Sequence, residues 1–123
     1  MFARIWRRFV RTRIWGMDIH PSAVIADSAL IDRTFPKGVH IAARAVIGEQ
    51  AVVLTHDIAT RVWQHTYIGE GATLGARAIV LPGLKVGKGA VVLPGSVVTE
   101  DVPDGATVRG NPGKLIAPSS YAA

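Results

Sequence analysis

The sequence predicts an all-β solenoid, on three observations that share one phase. First, aliphatic residues recur every six positions. Counting from Ile19, they fall at Ile19, Ile25 and Ile31, resume at Ile41, Ile47 and Val53, and run on through Ile68, Leu74, Val80, Val86, Val92 and Val98. Val, Ile and Leu are roughly a quarter of the chain, so six in a row at one phase has a chance of about one in a few thousand. Second, a small side chain follows four residues later, at Ala23, Ala29, Ala45, Ala51, Ala72, Ala78, Ala90 and Ser96. Third, glycine follows one residue later at Gly48, Gly69, Gly75 and Gly87. Neither a helical period nor simple alternation produces a strict six with two coupled positions. A solenoid does. Each six residues form a short strand and a corner, with the aliphatic inward and the small residue at the corner. The glycine supplies unusual dihedrals there. Three such sixes complete a triangular turn, and the repeat predicts about four coils.

The elements follow in chain order. Residues 1–16 differ from the rest. Phe2, Ile5, Trp6, Phe9 and Val10 recur at helical spacing, with most of the arginines on the opposite face, which predicts a basic amphipathic helix. Two main readings stand for it: a cap packed on its own domain or a neighbouring subunit, and peripheral contact of residues 1–14 with an anionic membrane surface. Residues 17–116 form the solenoid domain, interrupted at 33–40 and 57–67 by insertions of the kind that line binding faces. Residues 117–123 read as a tail.

Composition narrows the function. The net charge is +5, and Arg4, Arg7, Arg8, Arg11 and Arg13 of the first segment equal it. The remainder is balanced, so the domain is not a basic nucleic-acid binder. No apolar run is long enough to span a bilayer, and the start lacks the pattern of a signal peptide. There is no cysteine, which excludes disulfides, thiolate metal sites and a cysteine nucleophile. These features fit a cytoplasmic protein, peripheral at the inner membrane surface where the helix meets lipid.

The run Ile68-Gly-Glu-Gly-Ala-Thr-Leu-Gly-Ala-Arg-Ala-Ile-Val-Leu-Pro-Gly resembles the hexapeptide-repeat acyltransferases. So do Gly95-Ser-Val-Val-Thr-Glu-Asp-Val-Pro and the closing Gly110-Asn-Pro-Gly-Lys-Leu-Ile. The resemblance spans about residues 18–116 and is nearest to sugar and polysaccharide O-acetyltransferases. It implies a left-handed parallel β-helix, a hand opposite to the usual parallel crossover. It also implies a homotrimer with active sites between subunits, and acetyl-CoA as acyl donor with no metal. The acceptor it implies is a hydroxyl of a carbohydrate in polysaccharide or lipid-linked sugar synthesis.

The resemblance also assigns residues. His56, in the string Leu54-Thr-His-Asp57, takes the place of the general base. The chemistry wants one there. An alcohol is too weak an acid to attack a thioester unaided, and an imidazole titrates near neutrality. Asp57 is the candidate to orient the ring. Ala76, Pro94, Thr99 and Lys114 match donor-binding positions, and Arg77 is a candidate phosphate ligand beside them. Pro94 has no N–H to give to the pantetheine arm, and Glu100 stands where a lysine is usual; Arg77, Lys85, Lys88 and Arg109 are the candidates to compensate. Trp63 and His65, in the second insertion, are the candidates to meet the acceptor. His20 and His40 read as surface or interface residues. Three other readings stay open: N-acetyl transfer to an amino-sugar, a gamma-class carbonic anhydrase with zinc on histidines, and a non-catalytic β-helix assembly module.

Overall fold

A computed structural model describes residues 2–117. The tail expected at 117–123 lies, beyond Ala117, outside the described residues. The chain opens with α1 (Phe2–Phe9), which continues through a wider π-helical stretch at Val10–Ile14. Gly16, at φ +81°, then turns the chain into the first strand.

The helix lies on the prism by its charged side. Arg7 donates to Asp27 Oδ1 at 2.7 Å. Its apolar stripe faces away, with Phe2 80%, Ile5 62% and Trp6 55% exposed. Packing of that stripe on the chain's own domain is therefore not what forms. The two ends of β2 offer a carbonyl at Ala23 and a carboxylate at Asp27, which suit guanidinium groups better than aromatic rings.

Four coils follow, each of three short strands. The first holds β1 (Asp18–Ile19), β2 (Val24–Ile25) and β3 (Leu30–Ile31). The second holds β4 (Val39–Ile41), β5 (Val46–Ile47) and β6 (Val52–Val53). A hairpin of β7 (His56–Asp57) and β8 (Val62–Trp63) then leaves the solenoid. The third coil holds β9 (Thr66–Ile68), β10 (Thr73–Leu74) and β11 (Ile79–Val80). The fourth holds β12 (Lys85–Val86), β13 (Val91–Val92) and β14 (Val97–Val98). Equivalent strands stack in parallel into three flat sheets: β1-β4-β9-β12, then β2-β5-β10-β13, then β3-β6-β11-β14.

The register puts the aliphatics of the six-residue repeat directly above one another. Ile25, Ile47, Leu74 and Val92 form one column, and Ile31, Val53, Val80 and Val98 another. From the second coil onward these side chains are almost wholly buried, as are Ala45, Ala51, Ala72, Ala78 and Ala90 at the corners. The interior is a narrow aliphatic rod, with alanine where the triangle's vertices leave room for one methyl group.

The glycines do different work from the dihedral role expected of them. Gly48, Gly69, Gly75 and Gly87 are absent from the left-handed region. A Cβ on Gly75 would lie 2.6 Å from the nitrogen of Pro94 in the next coil, and one on Gly69 2.7 Å from the carbonyl oxygen of Val86. These glycines let successive coils approach. The left-handed residue of each corner comes two positions later, at Gln50, Gly71, Arg77 and Gly89.

The end of the stack is covered by the chain itself. Val102 bridges Val86, extending the first sheet. Strand β15 (Thr107–Arg109) adds to the second sheet, and β16 (Lys114–Ile116) folds back antiparallel beside it. Along the third sheet, Val97 N–H donates to the Gly110 carbonyl, and Gly113 N–H to the Val97 carbonyl.

Candidate active site

The site forms at the corner between the third sheet and the first, where the hairpin leaves the solenoid. Asp32 follows β3 at this corner in the first coil, and Thr55 and His56 follow β6 one coil further on. Stacking of the coils brings them together. Asp32 is 3% exposed and sits among four donors. Its Oδ2 accepts the N–H of Thr55 at 2.9 Å, the N–H of His56 at 3.2 Å and the His56 ring Nδ1 at 2.5 Å. Its Oδ1 accepts the N–H of Thr34 at 2.9 Å. Burial pushes the carboxyl pKa up, but the N–H groups of Thr55 and Thr34 and the His56 ring outweigh it, so Asp32 lies below the ordinary carboxylate value.

An ionised carboxylate only accepts, so Nδ1 of His56 carries the proton toward Asp32. In the neutral ring the other nitrogen, Nε2, is then an acceptor. The imidazole is partly exposed and lines a groove of about 560 Å³ between α1 and the third sheet, together with Leu30 and Leu54. A histidine fixed in one tautomer by a buried carboxylate, with its second nitrogen at a cavity, is chemically equipped to take a proton from a bound hydroxyl.

Asp57 does not hold the ring. Its carboxylate closes the hairpin turn, accepting from the side chain of Thr60 and the N–H of Ala59, and both hold it below its ordinary value. Adjacent residues in an extended strand point to opposite sides, so the neighbour of His56 is turned away while a residue from the coil before reaches it. Asp32 was not singled out from the sequence, although one signal marks it. In the position directly after the repeat's inward aliphatic it is the only acid, where glycine, alanine or leucine is usual.

Trp63 pairs with His56 across the hairpin and is 62% exposed. From it a strip of rings runs down the first sheet. Phe35 lies 6.0 Å from Trp63 and 5.3 Å from His65, and His40 stacks on Tyr67 at 4.4 Å. His65 Nδ1 is 2.7 Å from His40 Nε2, and His40 Nδ1 is 2.9 Å from Asp18 Oδ2. His20 is apart from them, bonded to Ser22. Among the described residues of this chain, no three His, Asp or Glu side chains converge to hold a metal ion.

The expected donor residues lie elsewhere on the same chain. Ala76, Arg77 and Pro94 occupy the corner between the second and third sheets, across a flat side of the prism from His56. Arg77 is in the left-handed region and donates from Nε to Gln50 Oε1 at 2.7 Å. Thr99 is at the same corner as His56, two coils further on, and Lys114 is exposed on β16. One chain alone does not bring these positions to the histidine.

Known proteins share the repeat and the fold. The family "Bacterial transferase hexapeptide (six repeats)" matches residues 65–100. Serine acetyltransferase 4 of Arabidopsis thaliana is 40% identical over 111 residues, covering 85% of this chain and 30% of that protein. The chain thus spans about a third of the length of this relative. A maltose O-acetyltransferase from Clostridium difficile 630 superposes with a TM-score of 0.67 at 19% identity, covering 89% of this chain and 73% of that one. A galactoside acetyltransferase in complex with coenzyme A gives a TM-score of 0.55 at 20% identity, covering 77% and 48%. The fold these define is the left-handed parallel β-helix. The chain carries the hexapeptide repeats of this family and shares its fold with known acetyltransferases.

Proposed function

We propose that the protein transfers an acetyl group from acetyl-CoA to a hydroxyl of a carbohydrate acceptor, with His56 as general base. The observation that carries this reading is the Asp32–His56 pair at the groove. Nε2 accepts the hydroxyl proton as the acceptor oxygen attacks the thioester carbonyl. The tetrahedral oxyanion is met by backbone N–H groups of the neighbouring coils. Collapse breaks the carbon–sulfur bond, and the imidazolium returns its proton to the departing thiolate. Asp32 keeps the productive tautomer and stabilises the imidazolium without itself taking the proton. It is the orienting residue in place of Asp57.

Hydroxyl transfer is supported by the names of the serine and maltose enzymes, both O-acceptors. A sugar is supported by the exposed indole of Trp63 opposite His56, a flat apolar platform of the kind sugar faces stack on. His65 stands two residues further along the same strip. The coenzyme A in the galactoside enzyme supports the donor. The donor groove is completed in a homotrimer, in which Ala76, Pro94, Thr99 and Lys114 of one subunit approach a histidine across an interface. The separation of Ala76 and Pro94 from His56 within one chain supports that arrangement. Among the described residues no helix is long and apolar enough to cross a membrane, and the outward stripe of α1 supports peripheral contact with a lipid surface. The test is release of CoA from acetyl-CoA across a panel of sugars and amino-sugars, with hydrolysis subtracted. A sugar-dependent rate that His56→Ala abolishes supports the reading. No turnover with any acceptor, together with no acetyl-CoA binding, would overturn it in favour of a structural module.

A further inference from the structure

The groove that reaches His56 has a cationic wall that the transfer step does not use. Arg7 and Arg11 of the helical segment line it, as does Arg33, which follows β3. The Arg33 guanidinium sits 5.8 Å from the centre of the Trp15 ring. Arg7 is engaged by Asp27. Among the described residues no carboxylate pairs with Arg11 or Arg33. The acid within the groove, Asp32, is occupied by His56 and by backbone N–H groups.

Arg11 is half-buried, and its guanidinium is pushed below its ordinary value, by burial first and then by the charge of Arg7, which the charge of Asp27 only partly offsets. A guanidinium drawn out of water without an anion is unfavourable. Arg11 and the exposed Arg33, which both line the groove, suit an anion with several oxygens, since each fork presents paired N–H donors to phosphate oxygens. The volume of about 560 Å³ lies within the usual range for a small-molecule site.

We infer that the acceptor enters along this groove and carries a phosphate or diphosphate held between Arg11 and Arg33, which places its sugar hydroxyl at His56. The inference rests on the acetyl-transfer reading for the identity of the acceptor, but the anion seat is testable without it. A carboxylate has oxygens for one fork, whereas a diphosphate has enough for two. In the proposed reading the donor's own phosphates meet Lys114 on β16, which does not line this groove. Both a soluble nucleotide-linked sugar and a sugar on a lipid diphosphate present this chemistry. The outward apolar stripe of α1, on the same helix as Arg7, leaves room for either.

The experiment is calorimetric titration of inorganic pyrophosphate into the intact protein saturated with CoA, so that the donor site is filled. Wild type is expected to bind. Arg11→Gln and Arg33→Gln are each expected to weaken binding by about tenfold or more, the loss of one charge-assisted pair. Arg44→Gln, which removes a charge on another corner, is expected to leave it unchanged. In the kinetic arm, hexose 1-phosphates and UDP-hexoses are compared with the free hexoses and with polyprenyl-diphosphate hexoses in detergent. Phosphorylated acceptors are expected to be preferred, with the arginine variants raising KM for them more than they lower kcat. The better substrate of the two phosphorylated kinds names the source. Absence of pyrophosphate binding, or binding that neither variant weakens, would overturn the anion seat. If CoA itself does not bind, the donor reading fails, and the same titration without CoA still decides the seat.

Discussion

Replacing His56 with Ala removes the proposed general base, and kcat is expected to fall by roughly two or more orders of magnitude. Asp32→Asn tests the tautomer. An amide can donate to Nδ1, which turns the proton to Nε2 and leaves no acceptor at the groove. Its kcat should fall well below wild type, whereas Asp57→Asn, at the hairpin turn, should retain most of it. Equal losses in the two variants would reject Asp32 as the orienting residue. Asp32 also sets a pH dependence of stability. Its folded pKa is below the unfolded value near about 3.9, so its contribution is fully present above that value. It is lost as the pH falls through the folded value. Acid unfolding of wild type and Asp32→Asn should therefore converge at low pH and separate above it. His56 was legible because its string is local in sequence. Asp32 was not, because the contact joins residues 24 apart and exists only once the coils stack.

At the scale of strands and corners, the six-residue phase was readable in advance because a solenoid repeats one local environment. Each inward aliphatic reports the same interior, so errors at one position are corrected by the next. The corner glycines were misread because sequence shows only that a Cβ is missing, and both a left-handed dihedral and a close approach of backbones ask for that. Gly75→Ala separates the two causes. Its Cβ would press on Pro94 of the next coil, and overpacking of this kind costs about 1–3 kcal/mol. Thermal unfolding should detect that loss. At Gln50, with φ +57°, substitution by Gly relieves a left-handed residue and tests the corner dihedral instead. The orientation of α1 was likewise not readable. Periodicity gives two faces but not which one finds a partner, and that depends on the two ends of β2, at Ala23 and Asp27.

The molecule as a whole makes two further demands. The flat sides of the prism carry outward apolar residues, with Val24 62%, Leu30 55% and Val46 39% exposed in one chain. A trimer that covers such sides should appear by sedimentation, and dissociating conditions should remove activity before they remove β-structure. A fully active monomer would contradict the shared site. The stripe of Phe2, Ile5, Trp6 and Phe9 should bring the protein down with anionic vesicles at low salt and release it at high salt. Indifference to such vesicles would leave the stripe to a neighbouring subunit. The segment from Val102 to Ile116 has a consequence of another kind. It lays backbone along the last strand of all three sheets, the third through Gly110 and Gly113. A parallel stack has no natural stopping point, since every terminal strand is a template for one more. Removal of residues 102–117 would leave three such templates on a rigid rod, and the expected outcome is end-to-end growth into filaments rather than unfolding.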